Sequence, residues 1–443
     1  MTISTDSIFH RVITNNWPQI SHGKDCYLYA EDGRAYLDAC AGVHVVSIGH
    51  GVPEISAAMQ TQADKVCFTY ARFLTQPQID LADKLTAMAP GDLNRVFFVS
   101  GGSEATEAGL KIARKYHLET GNPKKYKVIT RWQSWHGNTL GALSMSGRST
   151  WREDYVPYLL DFPHITFPNP SHCPYCKGQP ACTLSCAEEL ERVIKQEGAD
   201  YIAAFIAEPI SGTSCCGLKP PPDYFPTLRE ICDRHGVLLV SDEVICAYGR
   251  IGHMFGCERF GYIPDVITSA KGLTSGYAPL GAMIVSDRIA EPFVGTGESF
   301  LHGITFAGHP VSCAVALANL KIFEDEDIVG HVQANEVAFR AALDDLMDLP
   351  IVGDIRGEGY FYGIELVRDR DTRSSFSDDE REHLLRGFLS NRLLELGLIC
   401  RADDRGEPVI QLSPPLIAGP EQFEEINAKL RTALTEAMAE LEV

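Results

Sequence analysis

The sequence predicts an α/β protein built on a mostly parallel sheet, with a smaller α+β unit attached. Three observations carry this. Short continuous apolar runs alternate with helix-period segments between about residues 96 and 285. The pattern changes in the last third of the chain. The length, 443 residues, is about three nominal ~150-residue domains, enough for one large core and a second unit.

Val96-Phe-Phe-Val99 is apolar without interruption, as expected of a strand covered on both faces, and a helix pattern follows over residues 103–120. Residues 201–207 and 237–241 read as two more buried strands on either side of a helix over 223–235, and 282–285 as another strand. This alternation is the mark of helices layered on a parallel sheet. Beyond it come a helix over 311–324, an amphipathic stretch over 331–346, a strand candidate near 360–366 and a final helix over 421–441. We therefore expect residues 1–50 to join the small domain, 51–325 to form the large domain and 326–443 the C-terminal small domain. The charge run 368–382 is expected to be a solvated loop, because so many charges are costly to bury even in pairs.

Thirty-nine Lys+Arg against 59 Asp+Glu leave a net charge of −20, so the average surface repels phosphate backbones and anionic headgroups. Nucleic acid and membrane partners are not expected. The longest apolar run, Tyr201-Ile-Ala-Ala-Phe-Ile-Ala207, falls far short of the ~20 residues that span a bilayer. The first residues are polar where a secretory signal needs an apolar core, so a cytoplasmic location is expected. In that compartment the 14 cysteines are expected as reduced thiols.

Three segments carry chemistry. Ser100-Gly-Gly-Ser-Glu-Ala-Thr106 follows a strand and opens a helix, where small residues and the helix N-terminus suit a phosphate. It lacks the lysine of a P-loop and the spacing of a dinucleotide fingerprint, and a tight turn without ligand is the alternative. Val237-Leu-Leu-Val-Ser-Asp-Glu-Val244 ends a buried strand in acids. One of them can face a cationic ring nitrogen at the carboxyl end of the sheet, or cap a helix. Ser269-Ala-Lys-Gly272 holds a lysine among small residues at a strand end, where desolvation makes an amine nucleophilic toward carbonyls. A phosphate seat, a ring-nitrogen acid and a Schiff-base lysine together are the parts that hold pyridoxal phosphate.

With these segments, and with Asp38-Ala-Cys-Ala-Gly42, Ile48-Gly-His-Gly51, Ser134-Trp-His-Gly137, Ala207-Glu-Pro209, Leu301-His-Gly-Ile-Thr-Phe-Ala-Gly-His-Pro310 and Leu412-Ser-Pro-Pro-Leu416, the sequence resembles the class III aminotransferases. These are pyridoxal-phosphate enzymes of fold type I that include the omega-amino-acid:pyruvate transaminases. The resemblance spans nearly the whole chain. It implies a large domain with a mostly parallel seven-stranded sheet, a smaller α+β domain, pyridoxal 5'-phosphate as cofactor, and a homodimer or tetramer with shared active sites. By the same resemblance Lys271 binds the cofactor covalently and shuttles a proton, while Asp242 keeps the ring nitrogen protonated. Gly102 and Ser103 hold the phosphate, and Val244 packs on one ring face. Trp135 stands where the family usually has a tyrosine on the other face. Glu208 and His136 lie in matching cofactor segments, although His136, like His302, is given no catalytic role. Thr305 matches the threonine that reaches the phosphate of the neighbouring subunit.

The resemblance places Arg401 at the mobile arginine that grips a keto-acid carboxylate, a task suited to a bidentate guanidinium. A surface arginine on the loop that also contains Arg405 is the alternative. Glutamate-using relatives carry an arginine where this chain has Gln411, which leaves Glu208 without its usual partner and argues against the ornithine and 4-aminobutyrate type of switch, with pyruvate the expected acceptor and 2-oxoglutarate left open. His44 and Arg72 fall at matching pocket-wall positions and suit a polar or acidic donor; ordinary loop residues are the alternative. The expected reaction moves an amino group from a primary amine or omega-amino acid to a keto acid by ping-pong. Racemisation, aminomutation and elimination are the rival outcomes on the same fold. No catalytic metal is expected. Cys173, Cys176, Cys182 and Cys186 leave open a structural zinc site, free thiols or a redox pair, and a zinc-dependent interaction protein is the most distant reading.

Overall fold

The structure is a computed structural model that describes residues 7–11, 17–169, 172–176, 182–212, 215–404 and 408–441. Three strands open the chain: β1 (Ile20–Lys24), β2 (Tyr27–Ala30) and β3 (Ala35–Asp38). Seven follow: β4 (Arg95–Val99), β5 (Lys127–Arg131), β6 (His164–Ile165), β7 (Ile202–Ala207), β8 (Leu238–Asp242), β9 (Val266–Ser269) and β10 (Gly281–Val285). The C-terminal third supplies β11 (Val352–Glu358), β12 (Phe361–Leu366), β13 (Leu398–Ile399), β14 (Arg401–Asp404) and β15 (Pro408–Leu412).

The central sheet has seven strands in the order β4-β10-β9-β8-β7-β5-β6. Only β10 runs against its neighbours, pairing antiparallel with both β4 and β9. The β5–β6, β5–β7, β7–β8 and β8–β9 pairs are parallel. The mostly parallel seven-stranded α/β architecture expected from the sequence is thus observed. All six residues of β7, Ile-Ala-Ala-Phe-Ile-Ala, are buried, because helices cover both sheet faces and leave no polar side to alternate with.

Two smaller sheets complete the fold, one antiparallel throughout and one in which β13 runs parallel to β3. β11-β12-β15-β14 form one four-stranded sheet, and β1-β2-β3-β13 another. In the second, Leu398 and Ile399 pair with Leu37 and Asp38, so the N-terminal strands hydrogen-bond to the C-terminal third. The last helix, Pro420–Leu441, buries Phe423, Ile426, Leu430, Ala433, Leu434 and Ala437, the single stripe that a 3.6-residue period produces. Phe423 stacks on Phe339 at 4.7 Å between centroids.

The charge run departs from the sequence expectation. Asp378–Glu382 is helical, not loop, and Ser377 starts it: its hydroxyl accepts from Glu380 N while the Glu380 carboxylate accepts from Ser377 N. This capping box was present in the sequence as Ser-x-x-Glu, and it outweighs the density of charge because the charges remain in solvent. Among the described residues no helix is long and apolar enough to cross a membrane.

Candidate active site

The chemistry-bearing residues sit just past the carboxyl ends of β4, β5, β7 and β8, and of β9, which is parallel to them. Open α/β sheets bind ligands there, because the strand ends leave a crevice edged by loops. A cavity of about 170 Å³ lies there, lined by Gly102, Ser103, Trp135, His136, Gly137, Glu208, Asp242, Val244, Ile245 and Lys271. Every residue assigned to the cofactor from the sequence lines this cavity except Thr305. Gly137 and Ile245 are added.

One end of the cavity is made of backbone. The helix Gly102–Glu119 follows β4 with no side-chain cap at its start, so no side chain occupies its first N–H groups, and its dipole adds about half a positive charge. The turn is tight. A Cβ on Gly102 would come within 2.9 Å of Val244 Cγ1, and one on Gly137, where φ is +132°, within 2.8 Å of Ser103 Cα. Only glycine keeps this end open.

The other end is ionisable. Lys271 follows β9 with φ +40°, a left-handed conformation seldom adopted by a long side chain and typical of sites where surrounding structure holds a residue in place. Burial pushes its amine down from the ordinary lysine value to about 8; Asp242 opposes the shift and Arg401 adds to it. Lys271 Nζ makes no hydrogen bond to any described residue, so the amine is available to a ligand. Asp242, buried at the end of β8, accepts from Val244 N at 3.1 Å and lies 2.6 Å from His136 Nδ1. His136 Nε2 is 3.2 Å from Thr130 Oγ1. With the proton on Nδ1, the imidazole donates to Asp242 and accepts from Thr130, which fixes the carboxylate's orientation.

Asp242 and Glu243 divide the two roles that the sequence left open. Glu243 turns away from the cavity and accepts from Gly256 N and Cys257 N, both at 2.8 Å, at the start of the short Gly256–Arg259 helix. Burial raises its carboxyl to about 7. Glu208 has a partner that the sequence reading missed. Arg131, fully buried at the end of β5, places Nη2 3.6 Å from Glu208 Oε2 and donates to the Glu208 carbonyl at 2.7 Å. An arginine closing the short strand segment Lys127-Val-Ile-Thr-Arg131 was the available signal, because a buried guanidinium requires a counter-charge. Removing Arg131 would leave Glu208 buried and uncompensated. Arg131→Met should therefore lose about 3–5 kcal/mol of unfolding free energy, read from denaturant unfolding of the purified protein.

The residues assigned to substrate are less concentrated. His44 is buried, has φ +59° and pairs with Ser413 Oγ at 2.6 Å. Burial, with the charges of Lys271, Arg250 and Arg401, holds it well below the ordinary histidine value and therefore neutral. Arg401 opens β14 opposite Gln411 in β15. Its charge acts on both Lys271 and His44, so it is near the site without lining the cavity. Arg72 and Thr305 are exposed and away from the cavity lining. Arg405 lies outside the described residues. The Asp38 and His50 motifs meet each other instead: Asp38 accepts from Gly42 N at 3.0 and 2.9 Å and pairs with His50 Nε2 at 3.1 Å. None of the 14 cysteines is in a disulfide, and among the described residues no three His, Cys, Asp or Glu side chains form a metal-binding group.

An amine, a fixed carboxylate and a run of backbone donors around one cavity, on a seven-stranded sheet with one antiparallel strand, define the class: this is the fold of the type I pyridoxal-phosphate-dependent transferases. The family model "Aminotransferase class-III" matches residues 11–434, and the chain belongs to that family. The Mycobacterium tuberculosis protein named "Probable aminotransferase Rv3329" is 50% identical over 420 residues, covering 95% of this chain and 90% of that protein. The putrescine–pyruvate aminotransferase of Pseudomonas aeruginosa is 37% identical over 437 residues, covering 95% and 91%. A solved (S)-enantioselective omega-transaminase from Thermomicrobium roseum superposes with a TM-score of 0.90 at 33% identity, covering 97% of this chain and 96% of that one. The protein is an aminotransferase of class III.

Proposed function

We propose that the protein is a pyridoxal-phosphate-dependent omega-type transaminase, which moves an amino group from a primary amine or omega-amino acid to pyruvate in two half-reactions that share one pocket. The observation that carries this reading is the shared cavity of Lys271, Asp242, Gly102 and Ser103. The site fits the cofactor by its donor set: an amine for the aldehyde, a carboxylate for the ring nitrogen and N–H groups for the phosphate. When bound, pyridoxal phosphate supplies an electron sink for charge that develops on the substrate carbon.

The chain's own residues supply the rest. Lys271 Nζ anchors the cofactor and, as the only amine among the described residues lining the cavity, moves the proton at the substrate carbon. Asp242 holds a proton on the ring nitrogen, and His136 keeps the carboxylate oriented toward it. Gly102, Ser103 and the helix N-terminus bind the phosphate, and Trp135 and Val244 enclose the ring. Glu208, neutralised in part by Arg131, borders the same site. Arg401 grips the carboxylate of the keto acid. Thr305, exposed in a single chain, reaches the phosphate site of the neighbouring copy in a homodimer.

Pyruvate as acceptor is supported by Gln411, which removes the second arginine of glutamate-using relatives, and by the printed name of the Pseudomonas relative. A panel of amines tested with pyruvate and with 2-oxoglutarate checks it. Faster turnover with pyruvate, and release of one equivalent of carbonyl product per site when donor is supplied alone, are expected. Equal rates with both acceptors would remove the pyruvate assignment, and no carbonyl release without acceptor would remove the two-step scheme.

The lowered amine of Lys271 has a kinetic consequence. The neutral amine is the form that attacks an aldehyde, so covalent loading of cofactor-free protein should speed up about tenfold per pH unit below pH 8 and level off above it. Stopped-flow absorbance across pH 6–10 measures this. A flat profile, or a plateau delayed to the ordinary lysine range, would contradict the buried position of the amine.

A further inference from the structure

We propose that Cys176 and Cys182 form a modification site: a dithiol pair that closes to an intramolecular disulfide when the protein meets a disulfide oxidant of the glutathione type. The two residues lie on the segment between β6 and the Ser185–Glu197 helix, apart from the catalytic cavity. Their Sγ atoms are 3.8 Å apart. A bonded pair stands at about 2.05 Å, so the two sulfurs must approach further for the bond to close. Cys182 is exposed and Cys176 half-exposed, whereas Cys173 and Cys186 are buried. The two accessible members of the four-thiol group are therefore the pair at 3.8 Å, while Cys173, which also approaches Cys176, is buried.

The surroundings favour a thiolate at Cys176. Its Sγ accepts from Thr183 N at 3.4 Å, with Thr183 Oγ1 at 3.5 Å. These bonds bring its thiol down to about 7. Cys182 Sγ accepts from Leu184 N at 3.5 Å, and Cys173 Sγ from Cys176 N at 3.4 Å. A low thiol value near neutral pH makes a good attacking sulfur. A metal ion is the competing occupant of such a group. Among the described residues no three ligands are placed to hold one, and bound metal is one of the outcomes that the test below reads.

The exchange balances. The Cys176 thiolate attacks one sulfur of glutathione disulfide and expels a glutathione thiolate. The Cys182 thiolate then attacks Cys176 Sγ in the mixed disulfide and expels the second. The two cysteines are oxidised, the glutathione disulfide is reduced to two thiols, and the two cysteine protons pass to them. Outside the pair, the segment is held to the C-terminal sheet by His172, whose Nε2 is 2.8 Å from Glu365 Oε1.

The test uses the full chain loaded with cofactor, treated with glutathione disulfide, quenched with iodoacetamide and mapped by tryptic mass spectrometry. The expected result is a Cys176–Cys182 cross-link that dithiothreitol reverses, with Cys173 and Cys186 unchanged. In Cys182→Ser the reaction should stop at glutathione on Cys176. Full alkylation of both cysteines after oxidant, or a cross-link through Cys173 or Cys186, would overturn the proposal. So would one equivalent of zinc or iron in the purified protein that protects all four thiols together.

Discussion

Lys271→Ala should lower transaminase turnover by about 10⁴-fold, at the upper end of what one positioned proton-transfer group contributes, because the substitution removes both the covalent anchor and the base. Among the described residues no other amine lines the cavity to take over. The substitution deletes a side chain whose amine makes no hydrogen bond to described residues, so the fold should survive and the thermal midpoint should not fall. Borohydride reduction and peptide mapping of the unsubstituted protein should place the cofactor label on residue 271. Label elsewhere, or an alanine variant that turns over within tenfold of the parent, would refute the assignment.

Asp242→Asn is expected to cost about 10³-fold in kcat, or about 4 kcal/mol of barrier, while cofactor retention changes little. The amide keeps the size of the carboxylate and can still accept from Val244 N, but it cannot hold a proton on a ring nitrogen. His136, now facing a neutral amide at the 2.6 Å contact, meets a weaker acceptor than the carboxylate. A kcat loss with unchanged thermal midpoint and a changed cofactor absorbance is the predicted signature. A loss confined to KM, with kcat unaffected, would place Asp242 in substrate binding and not on the ring.

These two side chains were legible in the linear chain because each follows an unbroken apolar run: Asp242 ends the run that begins at Val237, and Lys271 stands six residues past Asp265 among small neighbours. Strands buried on both faces have a strong local signal, and β7 and β8 lie within a residue or so of where the pattern put them. The helix over 102–119 was equally visible. The Asp378–Glu382 helix was obscured because charge density and a capping box pull the reading in opposite directions.

Pairings between distant segments had no such local signal. Arg131 and Glu208 are 77 positions apart, and His136 and Asp242 are 106 apart. Neither partner's immediate neighbours specify the other. Their meeting follows from strand order: β7 lies between β5 and β8, so their carboxyl ends converge, and burial then requires each charge to find a counterpart. The same holds for His44, whose neutral state depends on Lys271, Arg250 and Arg401 arriving from other parts of the chain. Composition and periodicity were enough to indicate the architecture, and the resemblance carried by contiguous motifs indicated the family and singled out Lys271 and Asp242 as candidates. The orientation of Asp242, the turning away of Glu243 and the partner of Glu208 depend on the low-dielectric interior formed when the strands assemble, and no window of the chain contains it.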